Sequence, residues 1–335
     1  MQNTKKVDLV AQFRKENVDF SKIEKARASR TVVNTGLEAY TGTWGTAQKK
    51  HLLNRVLTGY GSRHLLDLNN LSLQKSLDLI FTPEKQPSVP VNDYDYEITK
   101  EETEKQGHVY IEPGKEYVFA PEPNGSPWPR HQSHDAWLFR NMVQQSTSVH
   151  WRMVFFLHNL LAAGKGSVKM LYQHYITLFN TSFESYKTTI YKITLDPLML
   201  DYLNLQHSQK NKPDENYARE LQELFTVGKG PKSQFTEQDV GEMARLLVGW
   251  QFNNDSKNKM TGPITNIFNA WNHDTSDKQF SAFYGNRLIK GRNGQDGKKE
   301  LDEAIDMLFS TNECALYLSR RLYQFFCYPI INDTV

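Results

Sequence analysis

The sequence predicts a mainly α protein: a multi-helix globular domain with a small β-hairpin element in its insertions. Three observations carry this expectation. Beyond residue 45, apolar residues recur at helical spacing through most of the chain. Capping residues, glycines and prolines punctuate those runs where helices should begin and end. Two-residue alternation is confined to short pieces within residues 108–120 and 267–289.

Residues 1–40 are polar and mixed in charge without a sustained apolar period, and read as an N-terminal extension. Residues 41–335 read as a single helical domain. Thr46 can cap a first helix whose apolar side is Leu52, Leu53, Val56 and Leu57, and Thr58-Gly59-Tyr60-Gly61 ends it. A short second helix spans about residues 72–81, with Leu73, Leu77 and Ile80 inward. Residues 82–130 hold eight of the 13 prolines and form an irregular insertion, in which the alternating run 108–120 around Pro113-Gly114 predicts a hairpin. Helices follow over residues 135–145 and 149–163, the second apolar nearly all round and therefore central.

Helical patterning continues over residues 168–179 and 183–205, with Asp196-Pro197 starting a fresh helix. Pro213 opens the next helix and Gly228-Lys229-Gly230-Pro231 closes it. Another begins at Thr236, where Thr236 and Asp239 take capping-box positions and Phe235 with Val240 a hydrophobic staple. After Trp250 come loops or a short hairpin, then helices over residues 299–309 and 312–328, the last with Ala315, Leu318, Leu322 and Phe325 on one face. Cys314 and Cys327 fall about 20 Å apart along that helix, too far for a disulfide, and read as two buried free thiols.

Forty basic residues face thirty-eight acidic ones, too even a balance for bulk charge to capture nucleic acid or an anionic membrane. The longest strongly apolar stretch, residues 153–157, is far short of the roughly 20 residues of a membrane span. The first residues lack the apolar core of a secretory signal, which leaves the cytoplasm as the default location. Phosphate-binding glycine loops, dinucleotide fingerprints, nucleophile turns, HExxH and paired CxxC are all missing from the sequence.

The helix opened by Pro213 is the densest source of candidate chemistry. With Tyr217, Leu221, Leu224 and Phe225 as its packing stripe, Asn216, Glu220 and Glu223 share another face at helical spacing. Carboxylates so spaced can hold a hard cation, or divide acid and base roles in differing environments. Taken alone, the spacing favours a solvated face with an ordinary Arg219–Glu223 ion pair. His158 and Asn159 lie in the apolar helix and need partners there, backbone carbonyls or the Asn216 face. His273 and Asp274, in a loop flanked by Phe268, Trp271 and Phe280, could complete a divalent-metal set with Glu220 and Glu223.

The runs NYARELQELFTVGKGP, FTEQDVGEMARLLVGW and NHDTSDKQF, in that order, resemble the bacterial domain of unknown function 1800 family. YTGTWGTAQKKHLLNRVLTGYG is similar to the start of that domain and WRMVFFLHNLL to its tryptophan-His-Asn-His helix, so the likeness covers about residues 40–333. Leu160 stands where the family carries a second histidine, and relatives commonly continue past residue 333. The resemblance implies that Asn216, Arg219, Glu220, Glu223, His273 and Asp274 belong to a site. Many relatives look exported, and their genes often neighbour those of a sulfatase-like family, which implies envelope or polysaccharide metabolism and a sulfatase-like partner. Two readings stand together: a metal-assisted hydrolase or transferase in which Glu220, Glu223 and Asp274 act as acid, base or ligands, with His273 a ligand and Asn216, Arg219, His158 and Asn159 in support; or a non-catalytic helical module that binds another envelope protein.

Overall fold

The computed structural model describes residues 39–93, 99–329 and 331. By its internal contacts the chain divides into residues 1–42 with 332–335, and residues 43–331, and every helix and strand named here belongs to the second unit. The expected polar extension therefore lies almost wholly outside the described residues.

The chain opens with α1 (Thr46–Val56), α2 (Ser62–Asp67) and α3 (Leu73–Ile80). Gly45 precedes α1, its N–H held by the Gln48 side chain, so Thr46 is the first helical residue rather than the cap. Ser72 caps α3 through Lys75 N, and Leu53, Leu57, Leu68, Ile80 and Val149 close a small apolar cluster over these helices. Helix α2 is too short for its period to be seen in sequence.

The insertion carries a short helix α4 (Lys100–Lys105) under a Thr99/Glu102 capping box. The hairpin expected over residues 108–120 does not form. Asn92 sits between its two arms: its side-chain amide donates to Ile111 O at 2.6 Å, while its backbone N–H donates to Lys115 O at 2.8 Å and its carbonyl accepts from Gly114 N at 2.9 Å. The segment pairs instead as a single antiparallel bridge, Val91 with Glu116. Tyr117 and Val118 anchor it against Trp137, Val168 and Tyr172.

Helix α5 (Trp128–Gln144) begins seven residues earlier than the sequence pattern indicated. Pro127 is its N-cap and Pro129 lies in its first turn, where a proline removes only an N–H that has no intrahelical partner. The core is built from α6 (His150–Leu160), α7 (Val168–Thr181), α8 (Tyr186–Thr194), α9 (Pro197–Tyr202), α10 (Asn216–Glu220), α11 (Glu237–Leu247), α13 (Lys299–Phe309) and α14 (Asn312–Phe326). Ser167, Ser185, Asp196, Thr236 and Thr311 cap α7, α8, α9, α11 and α14. Leu160, at the position of the second family histidine, is buried in this core.

Strand β1 (Trp250–Phe252) pairs antiparallel with β2 (Asn266–Phe268) across the short helix α12 (Asn254–Asn258), and β3 (Lys278–Gln279) pairs with β4 (Leu288–Ile289). Fourteen α-helices and these two small sheets among the described residues make the fold mainly α. No helix among them is long and apolar enough to cross a membrane. Both cysteines are free; Cys314 is buried, but Cys327 follows the end of α14 and is exposed, contrary to the expectation for that thiol.

Candidate functional site

Helix α10 begins at Asn216, later than the expected opening at Pro213, and does not continue as α-helix past Glu220. Residues Leu221–Thr226 form a π-helical turn in which Val227 N reaches back five residues to Gln222 O at 2.9 Å. Such a turn rotates each residue less than an α-turn, so the expected stripe breaks. Leu224 turns outward, 48% exposed, and Gln222 goes fully inward. Gln222 is paired there: its amide donates to Ala218 O at 3.1 Å and its Oε1 accepts from Tyr284 at 2.8 Å. The Tyr317 and Tyr186 hydroxyls donate to Leu224 O and Phe225 O at 2.8 and 2.6 Å, occupying carbonyls of the widened turn.

Of the candidates on this helix, Asn216 is exposed. Arg219 donates to Glu215 and Glu237 at 2.7 to 2.9 Å and lies 3.6 Å from Glu223, the ion pair anticipated four residues apart. Hydrogen bonds to Glu237, opposed by some burial, hold the guanidinium pKa above its ordinary value. Glu223 also meets Lys229 at 2.5 Å. Glu220 differs: its Oε2 is buried without a hydrogen-bond partner, and burial followed by the charge of Glu223 raises its pKa. The two carboxyls thus sit in unlike environments.

His273 and Asp274 belong to another network. The His273 Nδ1 lies 2.8 Å from Val248 O, which can only accept, so Nδ1 carries a proton. Its Nε2 lies 3.1 Å from Glu300 Oε1. Glu300 also accepts from Lys278 Nζ and Arg292 N, both at 2.6 Å. Burial pushes the Glu300 pKa up, but bonds from His273 and Lys278 outweigh it and hold the carboxyl below its usual range. Both ring nitrogens of His273 are thus engaged, one by Val248 O and the other by Glu300 Oε1. Asp274 accepts from Arg245 Nε and from Ser276 N, both at 2.8 Å, and these contacts overcome burial to bring its pKa down to about 2. Asn272, just before, donates to Ser208 O at 2.8 Å and accepts from Lys210 N at 3.2 Å. Three consecutive residues are thus fastened to three separate parts of the fold. Sequence inspection found His273 and Asp274 but missed Arg245, Lys278 and Glu300, which lie more than three residues away along the chain and carry no local signal.

Among the described residues no hydrogen bond or ion pair links Glu220 or Glu223 to His273 or Asp274, and no group of three or more His, Cys, Asp and Glu has the geometry to hold a metal ion. His158 also lies apart from the Asn216 face. Its Nε2 meets Tyr175 at 3.3 Å, and the rings of His134, His158 and His174 pack at 5.9, 5.0 and 6.0 Å around that of Tyr175. Asp196 Oδ1, the cap of α9, holds His174 Nδ1 at 3.0 Å. Burial lowers the pKa of His134 and of His158 to about 4, so both rings are neutral near pH 7. Asn159 needs no core partner, because it is exposed and donates to Phe155 O at 2.8 Å on its own helix.

No curated protein and no solved structure matches the chain. The family model described as "Protein of unknown function (DUF1800)" matches residues 51–334, and with the motif residues now located, the chain belongs to the DUF1800 family.

Proposed function

We propose that the chain is a helical binding module in which the motif acids and bases are scaffold, holding the loop between β2 and β3 in one conformation. The observation that carries this reading is the burial of His273, Lys278 and Glu300, each at most 1% exposed with every side-chain nitrogen and oxygen engaged. A general acid or base must reach the proton it moves, and these groups face only one another and the backbone. An envelope setting, with a sulfatase-like protein as partner, belongs to this proposal on the strength of the family resemblance. The test is equilibrium urea unfolding of Glu300→Gln and His273→Ala. Breaking a buried charged pair costs about 3–5 kcal/mol, and variants as stable as the parent would sink the reading.

Glu220 favours a second reading, a hydrolase or transferase using Glu220 as acid and Glu223 as carboxylate, with or without a divalent ion between them. The unpartnered Oε2 and raised pKa of Glu220 support it, since a carboxyl held above its ordinary range is the form a general acid takes. Under this reading, elemental analysis finds near-stoichiometric divalent metal in the parent and less in a folded Glu220→Gln variant. A metal-free parent whose unfolding ignores both chelator and added divalent ions removes the metal-assisted form.

A further inference from the structure

A cleft of about 430 Å³ runs between the 205–209 segment, β1 and the loop that follows β2. Its lining is rich in carboxamides, including Gln209, Gln251, Asn269 and Asn272, and it includes His207 and Trp271. A second cleft of about 390 Å³ shares Gln206, His207 and Gln251 with it, so the depression is elongated. Trp271 is 94% exposed, the highest exposure among the large hydrophobic residues described. Tryptophan is highly buried on average, and an indole left in water forgoes the burial of some 150–250 Å² of apolar surface typical of aromatic side chains.

The loop that carries Trp271 is not loose. Asn272, His273 and Asp274 immediately after it are the three residues fastened to Ser208 and Lys210, to Val248 and Glu300, and to Arg245. The buried network therefore holds the backbone from which the indole projects at the cleft. The amides beside it are also half spent: Gln251 Nε2 donates to Gln206 O at 3.0 Å, leaving its Oε1 free, and Asn269 Oδ1 accepts from Asn272 N at 3.4 Å, leaving its Nδ2 free. This orients an unused acceptor and an unused donor in the same cleft without further ordering cost.

No lysine, arginine or carboxylate lines the first cleft, where His207 is the one ionisable side chain, and Asp255 in the second disfavours an anion, so no cationic fork selects a phosphate or a carboxylate, and the walls are too polar for a lipid chain. A ligand that presents an apolar C–H face to an indole and a ring of neutral hydroxyls to carboxamides is a pyranose. We propose that this cleft binds a neutral oligosaccharide, one sugar ring stacked on Trp271 and its hydroxyls bonded to Gln251 and Asn269. The proposal rests on the scaffold reading of the motif residues and supplies the ligand class that reading leaves open.

Isothermal titration of the full chain with cellohexaose, chitohexaose, maltohexaose and mannohexaose tests it. At least one should bind, Trp271→Ala should weaken that binding at least tenfold, Trp271→Phe should recover part of it, and Gln251→Ala should weaken it less. The Trp271 variants should unfold at the same urea concentration as the parent, because the indole stands almost wholly in solvent. No binding across the four sugars, or binding indifferent to Trp271→Ala, overturns the proposal. Failure of the scaffold reading shows separately, as Glu300→Gln unfolding like the parent.

Discussion

At the scale of single residues, Gly297 packs directly against the ring of His273. A Cβ on Gly297 would lie 2.7 Å from His273 Cδ2, 2.9 Å from Nε2 and 2.9 Å from Phe268 Cζ. The two imidazole atoms cannot move without disturbing the bonds of His273 to Val248 and Glu300. Gly297→Ala is therefore expected to cost about 1–3 kcal/mol in urea unfolding, as overpacking of a tight core does. A change below a few tenths would show the ring to be less firmly held than its bonds indicate. The sequence displayed His273 and Asp274 as a charged dipeptide between aromatics. It could not display that the histidine is buried and doubly bonded, because Glu300 reaches it only through tertiary folding.

At the scale of elements, the two helices of the motif behave in opposite ways. For α11 the local chemistry was sufficient. The Thr236 Oγ1 accepts from Asp239 N at 3.2 Å, and Asp239 Oδ2 accepts in return from Thr236 N at 2.7 Å. Asp239 does more than close the cap, since its Oδ1 accepts from Ser281 N at 2.7 Å and ties α11 to the segment after β3. Thr236→Ala should cost about 1 kcal/mol. Asp239→Ala should cost more, about 2–4 kcal/mol, because it strands buried donors besides losing the cap. Equal losses in urea unfolding would refute the second role. For α10 the period misled: the stripe assumed α-helical rotation, and the π turn, supported by Tyr186, Tyr284 and Tyr317 from distant elements, exchanged Leu224 for Gln222 at the core. The intrusion of Asn92 into the expected hairpin misled for a related reason, since a neighbour outside the local segment decided the outcome, whereas the start of α5 turned on the local tolerance of its first turn for proline.

At the scale of the whole molecule, titration links these parts. His134 and His158 fall from an ordinary value of 6.5 to about 4 on folding, so between those limits the unfolded chain binds more protons than the folded one. Stability should hold above about pH 6.5 and decline as pH falls towards 4, by up to about 3 kcal/mol per ring at 1.36 kcal/mol per unit. Asp274 acts lower. Its pKa is depressed from 3.8 to about 2, so its contribution is complete above 3.8 and is lost as pH falls through about 2. Unfolding curves from pH 8 to 2 should show both phases, and His158→Gln should flatten the upper one. A parent with constant stability from pH 7 to 4 would contradict the neutral, buried state of these rings. Of this cluster the sequence marked only His158 as a candidate and Asp196 as a helix start, because His134 on α5, His174 with Tyr175 on α7 and the Asp196 cap of α9 form no motif along the chain.

The π turn at Leu221–Thr226 also bears on descent. An i+5 turn occupies one residue more than an α-turn over the same stretch of helix, so it is a geometry in which a single added residue can be absorbed without displacing the chain beyond it. In this chain Leu224 faces outward within the turn, while Gly228 follows it in the left-handed conformation that closes the helix. Relatives one residue shorter here would keep the same ends and differ in which side chains between them face the core. Alignment by spacing alone would then set Glu223 of one protein against a residue of another that points elsewhere.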